Sequence, residues 1–400
     1  MSLLPVEDAL AAIFARVPPA CTESVPLEAA AGRVLTEAVL ARHDQPPFPA
    51  SAMDGYAVRA ADIVPGASLA VVGTAQAGAG FDAKVAPGTC VRIFTGAPVP
   101  PGADAVIMQE EATRTGDRVS FATQPPVGRS IRPLGHDFRQ GQELIPKGSR
   151  LSPMQLAVTA AANCPALPVA VQPRIALLAT GDELVLPGTA LGPGQIVASN
   201  SFGLRPLLAP YAAEIRDHGI APDNRAALAE RLAAIFAEAP DFVITTGGAS
   251  VGDHDIVQEI LLSLGVQLDF WRINMRPGKP LMFGTLGNTL VFGLPGNPVS
   301  AMVTAAVFIK PALRRWLGVV EPAPWHLPLL APTPPNTARR HFMRAQLVQS
   351  TTGAGLLPIS ETDSGHTSSL ARADMLLVQP EYDPGQPAGA LASAIPLDGF

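Results

Sequence analysis

The stretch "RIALLATGDEL", residues 174–184, is apolar from Ile175 to Ala179, then stops on Thr180-Gly181 with two acids behind it. A short apolar run bounded by a glycine turn reads as a strand buried on both faces, the kind found in parallel sheets. Working outward, "NSFGLRPLLAPYAA" (200–213) reads as a helix with one internal proline, and "EIRDHGIAPD" (214–223) as a short strand. "NRAALAERLAAIFAEA" (224–239) is a periodic amphipathic helix, and "DFVITTGG" (241–248) is a second buried strand. This alternation predicts a doubly wound α/β domain, a parallel sheet with helices on both faces.

The stretch "VFGLPGNPVSAMV" (291–303) breaks another apolar run with two prolines. Val291–Leu294 reads as a strand and Pro295-Gly296-Asn297 as a turn. Pro298 then opens a helix, with Asn297 as its cap. Such a turn aims free N–H groups at whatever lies beyond the sheet, an anion by preference.

The flanking text differs. Residues 1 to about 45 read as helical, with "VEDALAAIFARV" placing Val6, Leu10, Ile13, Phe14 and Val17 on one face. From 57 to about 130, short β-rich runs alternate with glycine and proline, as in a small antiparallel domain. "LSPMQLAVTAAANC" (151–164) reads as a helix capped by Ser152 with Pro153 in its first turn. The prolines of "VVEPAPWHLPLLAPTPP" mark a linker, and short strands follow to the end.

Composition narrows the classes. The 400 residues exceed one ordinary domain, and 48% hydrophobic with 16% charged residues provides for sizeable cores. A formal charge of −6 argues against a general binder of nucleic acid or anionic membrane. Three cysteines without a CxxC pair argue against a zinc site or disulfide framework. The N-terminus lacks a signal-peptide pattern, and the apolar stretch 156–171 is cut by Pro165 and Pro168. A cytoplasmic protein is expected.

Two strand ends carry the chemistry. One ends Thr180-Gly181-Asp182-Glu183; the other ends in a glycine turn followed by Asp253 and Asp255. In doubly wound sheets ligands bind beyond the carboxyl ends of strands, where glycine N–H groups approach phosphate and carboxylates suit Mg²⁺. Either turn alone is as often plain structure; the pair points to a nucleotide-like ligand. In "NMRPGKP" (274–280), Arg276 and Lys279 on a stiff loop suit a fixed anion, against the alternative of solvated surface charge. Ser300 adds a hydroxyl at the helix start. Asp54-Gly55 in "PFPASAMDGYAV" (47–58) reads equally as a turn or as a site. Thr95-Gly96 ends a strand, and "RPLGHDF" adds Arg132 and Asp137. Glu110 and Glu111 fall on a strand edge without a role, and His254 reads as a solvated neighbour.

Taken in order, "PFPASAMDGYAV", "IFTGAPVPPGADAVIMQE", "LATGDEL", "TTGGASVGDHD", "RPGKP" and "GLPGNPVSAMV" strongly resemble the molybdopterin molybdenumtransferases, a family similar to the E domain of gephyrin. The resemblance runs from about residue 5 to the end. It is shortest in the last domain, where "RRHFMRAQLV" and "SGHTSSLARADMLLV" carry it. It implies a homodimer of four-part chains. Residues 1–45 with 135–171 would form an extended linker domain, 46–134 an inserted β-domain, 172–319 the α/β domain and 320–400 a β-barrel-like domain. The implied reaction takes adenylylated molybdopterin and molybdate, uses Mg²⁺, and releases AMP as molybdenum joins the dithiolene.

On the matching positions the resemblance implies catalytic roles for Asp54, Thr95, Asp137, Glu183, Asp255 and Lys279. Substrate contacts would come from Gly181, Asn200, Gly247, Gly248, Ser250, Gly252, Arg276, Pro295, Gly296, Asn297, Pro298, Ser300, Arg344 and Ser368 or Ser369. The cation would sit on Glu183, Asp253 and Asp255. Molybdate, a tetrahedral dianion, needs donors, which the Pro298–Ser300 helix start, Lys279 and Arg276 offer. A partner subunit is the expected source of Asp54, Thr95 and Asp137. The adenylyltransferase that precedes this step, and cofactor-accepting enzymes after it, are the implied protein partners. Two rivals stand beside this reading: that adenylyltransferase itself, whose chain is about one domain long, and a catalytically inactive gephyrin-like scaffold. The flanking domains argue against the first, and the retained acids and Lys279 against the second.

Overall fold

A computed structural model describes residues 3–248, 256–320, 324–350, 353–361 and 363–397. The chain forms two compact units, Ser24–Val169 and Met1–Glu23 with Ala170–Phe400.

The larger unit is built on a six-stranded sheet. Its strands are β1 (Arg174–Thr180), β2 (Glu214–Ala221), β3 (Phe242–Thr246), β4 (Gln267–Arg272), β5 (Pro280–Leu286) and β6 (Thr289–Leu294). They lie in the order β2-β1-β3-β6-β5-β4. The first four are parallel, and β6–β5 and β5–β4 pair antiparallel. The antiparallel edge departs from the expected all-parallel sheet for a simple reason. Only Gly287 and Asn288 separate β5 from β6, which suffices for a hairpin and not for a crossover.

Alternation along the strands assigns the two faces. Ala176, Leu178, Val243 and Val291 pack under the helices Arg225–Ala237 and Ile256–Ser263, through Leu228, Leu232, Val257 and Ile260. The opposite face carries Phe242 and Phe292, whose rings stack 6.1 Å apart, and Trp316 meets Phe242 edge-on at 5.5 Å. From β1 the chain passes through the helix Asn200–Leu208 to β2 on one side, then through Arg225–Ala237 to β3 on the other. The winding direction therefore reverses at the carboxyl ends of β1 and β3, where an open α/β sheet forms its crevice.

The N-terminal helix is shorter than expected. It spans Val6–Arg16 and is fixed to the larger unit by an Arg16–Asp269 pair at 2.7 Å. Pro18 and Pro19 end it, and the chain continues as the strands Thr22–Pro26 and Val39–Leu40 with a 3₁₀ turn at Leu27–Ala29. At the other end, strands Trp325–Pro328, Arg340–Ser350, Met375–Gln379 and Leu391–Pro396 form a sheet that Met275–Arg276 extends, with Gly353–Pro358 hairpinned onto Arg340–Ser350. Its core holds Met343, Ala345, Leu356, Met375, Leu377 and Ala394.

The smaller unit has a six-stranded mixed sheet (Gly55–Val58, Ser68–Ala75, Thr89–Ile93, Ala105–Met108, Ala112–Thr115, Arg118–Phe121). A separate core forms around Leu35, Phe138, Ile145, Leu151 and Val169. Glu110 and Glu111 fall in a 3₁₀ turn between two of these strands rather than on a strand edge. The helix Pro153–Ala161 opens with a full capping box. Ser152 Oγ accepts from Gln155 N, and Gln155 Oε1 accepts from Ser152 N, satisfying two otherwise unpaired donors. Among the described residues no helix is long and apolar enough to cross a membrane.

Candidate active site

The carboxyl ends of all four parallel strands open into one cavity of about 560 Å³. Thr180 and Gly181 follow from β1, Ile220 and Asp223 from β2, Thr246 to Gly248 from β3, and Pro295 to Pro298 from β6. The turns here are fixed by backbone contact. Gly247 N donates to Leu294 O at 3.2 Å, and Gly181 N donates to Ala221 O at 3.3 Å. Gly247 sits at φ +93, and a Cβ on it would overlap the Thr180 carbonyl oxygen. Asn200 is drawn in by its amide, which donates to Gly296 O at 2.9 Å, and its own Oδ1 is buried without a partner among the described residues.

The electrostatics of this cavity are one-sided. Glu183, Asp217 and Asp223 line it, and no lysine, arginine or histidine does among the described residues. Asp223 N donates to Asp182 Oδ1 at 3.0 Å. Burial, joined by the negative charges of Asp182 and Glu183, holds the Asp223 carboxyl above the usual range. The sequence reading missed Asp223, although it carries the signal that marked Glu183, an acid just beyond a strand end. No three metal-ligating side chains cluster among the described residues. Carboxylates gathered without a basic partner nonetheless suit Mg²⁺, which takes one or two carboxylates and completes its shell with water and substrate phosphate. Ser250, Gly252, Asp253 and Asp255, together with His254, lie outside the described residues.

The helix Pro298–Thr304 begins where expected, with Ser300 buried in it. Asn297 takes the cap position but makes no side-chain cap. Its amide instead donates to Ser364 Oγ at 3.2 Å, tying the turn to the last domain. That loop is braced by Arg344, buried at 3% exposure, which donates to Glu361 O and to Asp363 O at 3.2 Å. Ser368 and Ser369 differ in burial. Ser369 is buried and donates to His366 O at 2.6 Å, whereas Ser368 is exposed. Arg276 lies in register with His341, and burial with the Arg339 charge lowers its pKa. Its Nε is buried without a partner among the described residues. The adjoining loop is set by Ile273 N donating to the Lys279 carbonyl at 2.9 Å.

His341 gives this region a pH signature. Burial, then the charge of Arg276, pushes its pKa down to about 4 from 6.5. A depressed folded-state value means the unfolded chain binds the proton first. The stability from keeping the ring neutral is therefore complete above about pH 6.5 and is lost as pH falls towards 4. The loss is on the order of 2–3 kcal/mol. Urea melts at pH 7 and pH 4.5 should show a smaller acid loss for His341→Gln than for wild type; equal losses would contradict this.

In the smaller unit Asp54 and Thr95 meet directly. Asp54 Oδ1 accepts from Thr95 N and from Thr95 Oγ1, both at 2.7 Å. These bonds hold the Asp54 carboxyl below its usual range, with Arg92 contributing at longer reach. Asp137 lines a separate cavity of about 540 Å³ with Gly96, Arg132 and His136.

Comparison with known proteins accounts for nearly the whole chain. Family models match the MoeA N-terminal region (domains I and II) at residues 4–163, a probable molybdopterin binding domain at 176–315 and the MoeA C-terminal region (domain IV) at 326–397. A molybdopterin molybdenumtransferase of Haemophilus influenzae is 38% identical over 79% of this chain and 78% of its own. One from Nostoc is 41% identical over 75% of this chain and 70% of its own. The crystal structure of the molybdopterin biosynthesis moeA protein from Pyrococcus horikoshii superposes with a TM-score of 0.84 at 29% identity, covering 99% of this chain and 100% of that one. Three family models in order and relatives matched over most of their length agree, and the chain belongs to the molybdopterin molybdenumtransferase (MoeA) family.

Proposed function

We infer that the chain inserts molybdenum from molybdate into molybdopterin, taking the adenylylated form and releasing AMP. One observation carries the reading: the cavity at the strand ends combines turns set by glycine with carboxylates and, among the described residues, no basic lining. The N–H groups of Gly248 and Gly296 would hold a phosphoanhydride, those of Gly181 and Gly247 being bonded to Ala221 O and Leu294 O. Glu183, with Asp223 beside it, and Asp253 and Asp255 would hold Mg²⁺, which would neutralise charge developing on the departing phosphate. Water would break the phosphoanhydride, AMP leaving with its own phosphate and molybdopterin keeping its own; the two dithiolene S–H groups would then bond molybdenum, their protons carrying one molybdate oxygen away as water. Molybdate, itself a dianion, gains from Arg276 and Lys279, and from the Ser300 helix start, rather than from the acidic wall. Arg344 would act by holding the 361–364 loop against Asn297 rather than by binding the anion.

The purified chain supplied with ATP and metal-free molybdopterin should make no adenylylated product, while the adenylylated substrate with molybdate should activate an apo-molybdoenzyme. The reverse pattern would favour the adenylyltransferase reading. Lys279→Ala should weaken substrate binding about tenfold at low salt and leave the melting temperature unchanged. Unaltered affinity would return Lys279 to plain surface charge.

The proposal extends to a homodimer in which the partner copy supplies Asp54, Thr95 and Asp137. Mixing Asp54→Ala with Glu183→Gln chains should then restore part of the activity, because each heterodimer has one unmutated site. Heterodimers that form without recovering activity would contradict a shared site.

A further inference from the structure

The cavity has a second chemistry that phosphate and metal leave unused. Leu186, Ile196, Val197 and Phe202 all line it, and all are unusually exposed for large apolar side chains, Phe202 at 57%. They come from the paired segments Leu184–Val185 and Ile196–Val197, the residue after the first, and the start of the helix Asn200–Leu208. An apolar patch on the wall of such a cavity is the surface against which a flat ring stacks.

The polar lining says which ring. Carboxylates only accept hydrogen bonds. Asp217 is oriented by Gly219 N, which donates to its Oδ1 at 2.9 Å, and its Oδ2 has no partner among the described residues. Asn200 gives one amide hydrogen to Gly296 O and has its Oδ1 buried without a partner among the described residues. Adenine shows a donor beside an acceptor, which an amide matches and a carboxylate does not. An aminopyrimidinone edge shows a ring N–H beside an exocyclic NH₂, two donors that match two carboxylate oxygens.

We propose that Phe202, Leu186 and Ile196 seat the pterin ring of the substrate and that Asp217 accepts from its aminopyrimidinone edge. This rests on the reading that adenylylated molybdopterin occupies the cavity. Asp217→Asn keeps the oxygen that accepts from Gly219, so the local turn survives while one acceptor becomes a donor. Phe202→Ala removes an exposed ring and spares the core.

The test titrates wild type and both variants with free pterin, followed by its own fluorescence, and with AMP by calorimetry. Lumazine, which has an oxo group in place of the pterin amino group, serves as the control. Pterin affinity should fall about tenfold or more in Asp217→Asn and several-fold in Phe202→Ala, with AMP unchanged. Lumazine should bind wild type weakly and be indifferent to Asp217→Asn. With the adenylylated substrate, both variants should raise KM more than they lower kcat. Loss of AMP affinity with pterin unaffected would overturn the proposal in favour of adenine. Unchanged pterin binding in both variants, or no saturable pterin binding to wild type, would also overturn it. Failure of the functional reading itself shows separately, as a wild-type chain that releases no AMP from the adenylylated substrate.

Discussion

Glu183→Gln should slow AMP release from adenylylated molybdopterin by two to three orders of magnitude, as expected for losing a charge that acts on the reacting phosphate. Its unfolding free energy should stay within about 0.5 kcal/mol of wild type. The side chain sits at the cavity wall, and no hydrogen bond or ion pair engages its carboxylate among the described residues. It lies over the backbone of Gly181, where an added Cβ would come within 2.5 Å of its Oε2. Glutamine keeps that shape and removes only the charge. Stability should even rise slightly, because Asp223 loses a like-charged neighbour. Steady-state AMP assays across a Mg²⁺ titration check this. A variant with wild-type turnover and the same Mg²⁺ requirement would exclude Glu183 as a ligand.

Gly247→Ala should be the most damaging small substitution in the cavity. A Cβ there would overlap the Thr180 carbonyl at the end of the neighbouring strand, in a backbone conformation that L-residues rarely adopt. Strain and displacement together should cost about 2–4 kcal/mol and disable substrate binding. Gly296→Ala is the control. Gly296 has no left-handed backbone, and its added Cβ would meet nothing closer than Gly247 Cα at 3.4 Å. It should therefore fold with near-normal stability. Urea melts that place the two variants together would refute the steric account.

Much of this architecture is legible in the sequence because its signals are local. An apolar run ending in Thr-Gly marks β1 and β3, and Ser152 with Pro153 marks a helix start, all within a few residues. What escaped depends on distant partners or on short turns. Asn297 reads as a helix cap, but its amide goes to Ser364, 67 residues away. Ser368 and Ser369 look interchangeable until burial separates them. Asp223 stands beside Glu183 only because β2 pairs with β1. The antiparallel edge turns on the two residues between β5 and β6, easily read past within a long apolar stretch.

The most direct measurement is a single-turnover reaction of the purified chain with adenylylated molybdopterin, Mg²⁺ and molybdate, scoring AMP and pterin-bound molybdenum together. The account predicts that AMP appears only when molybdate is present and that one molybdenum is bound for each AMP released. AMP release indifferent to molybdate, or AMP without bound molybdenum, would contradict it.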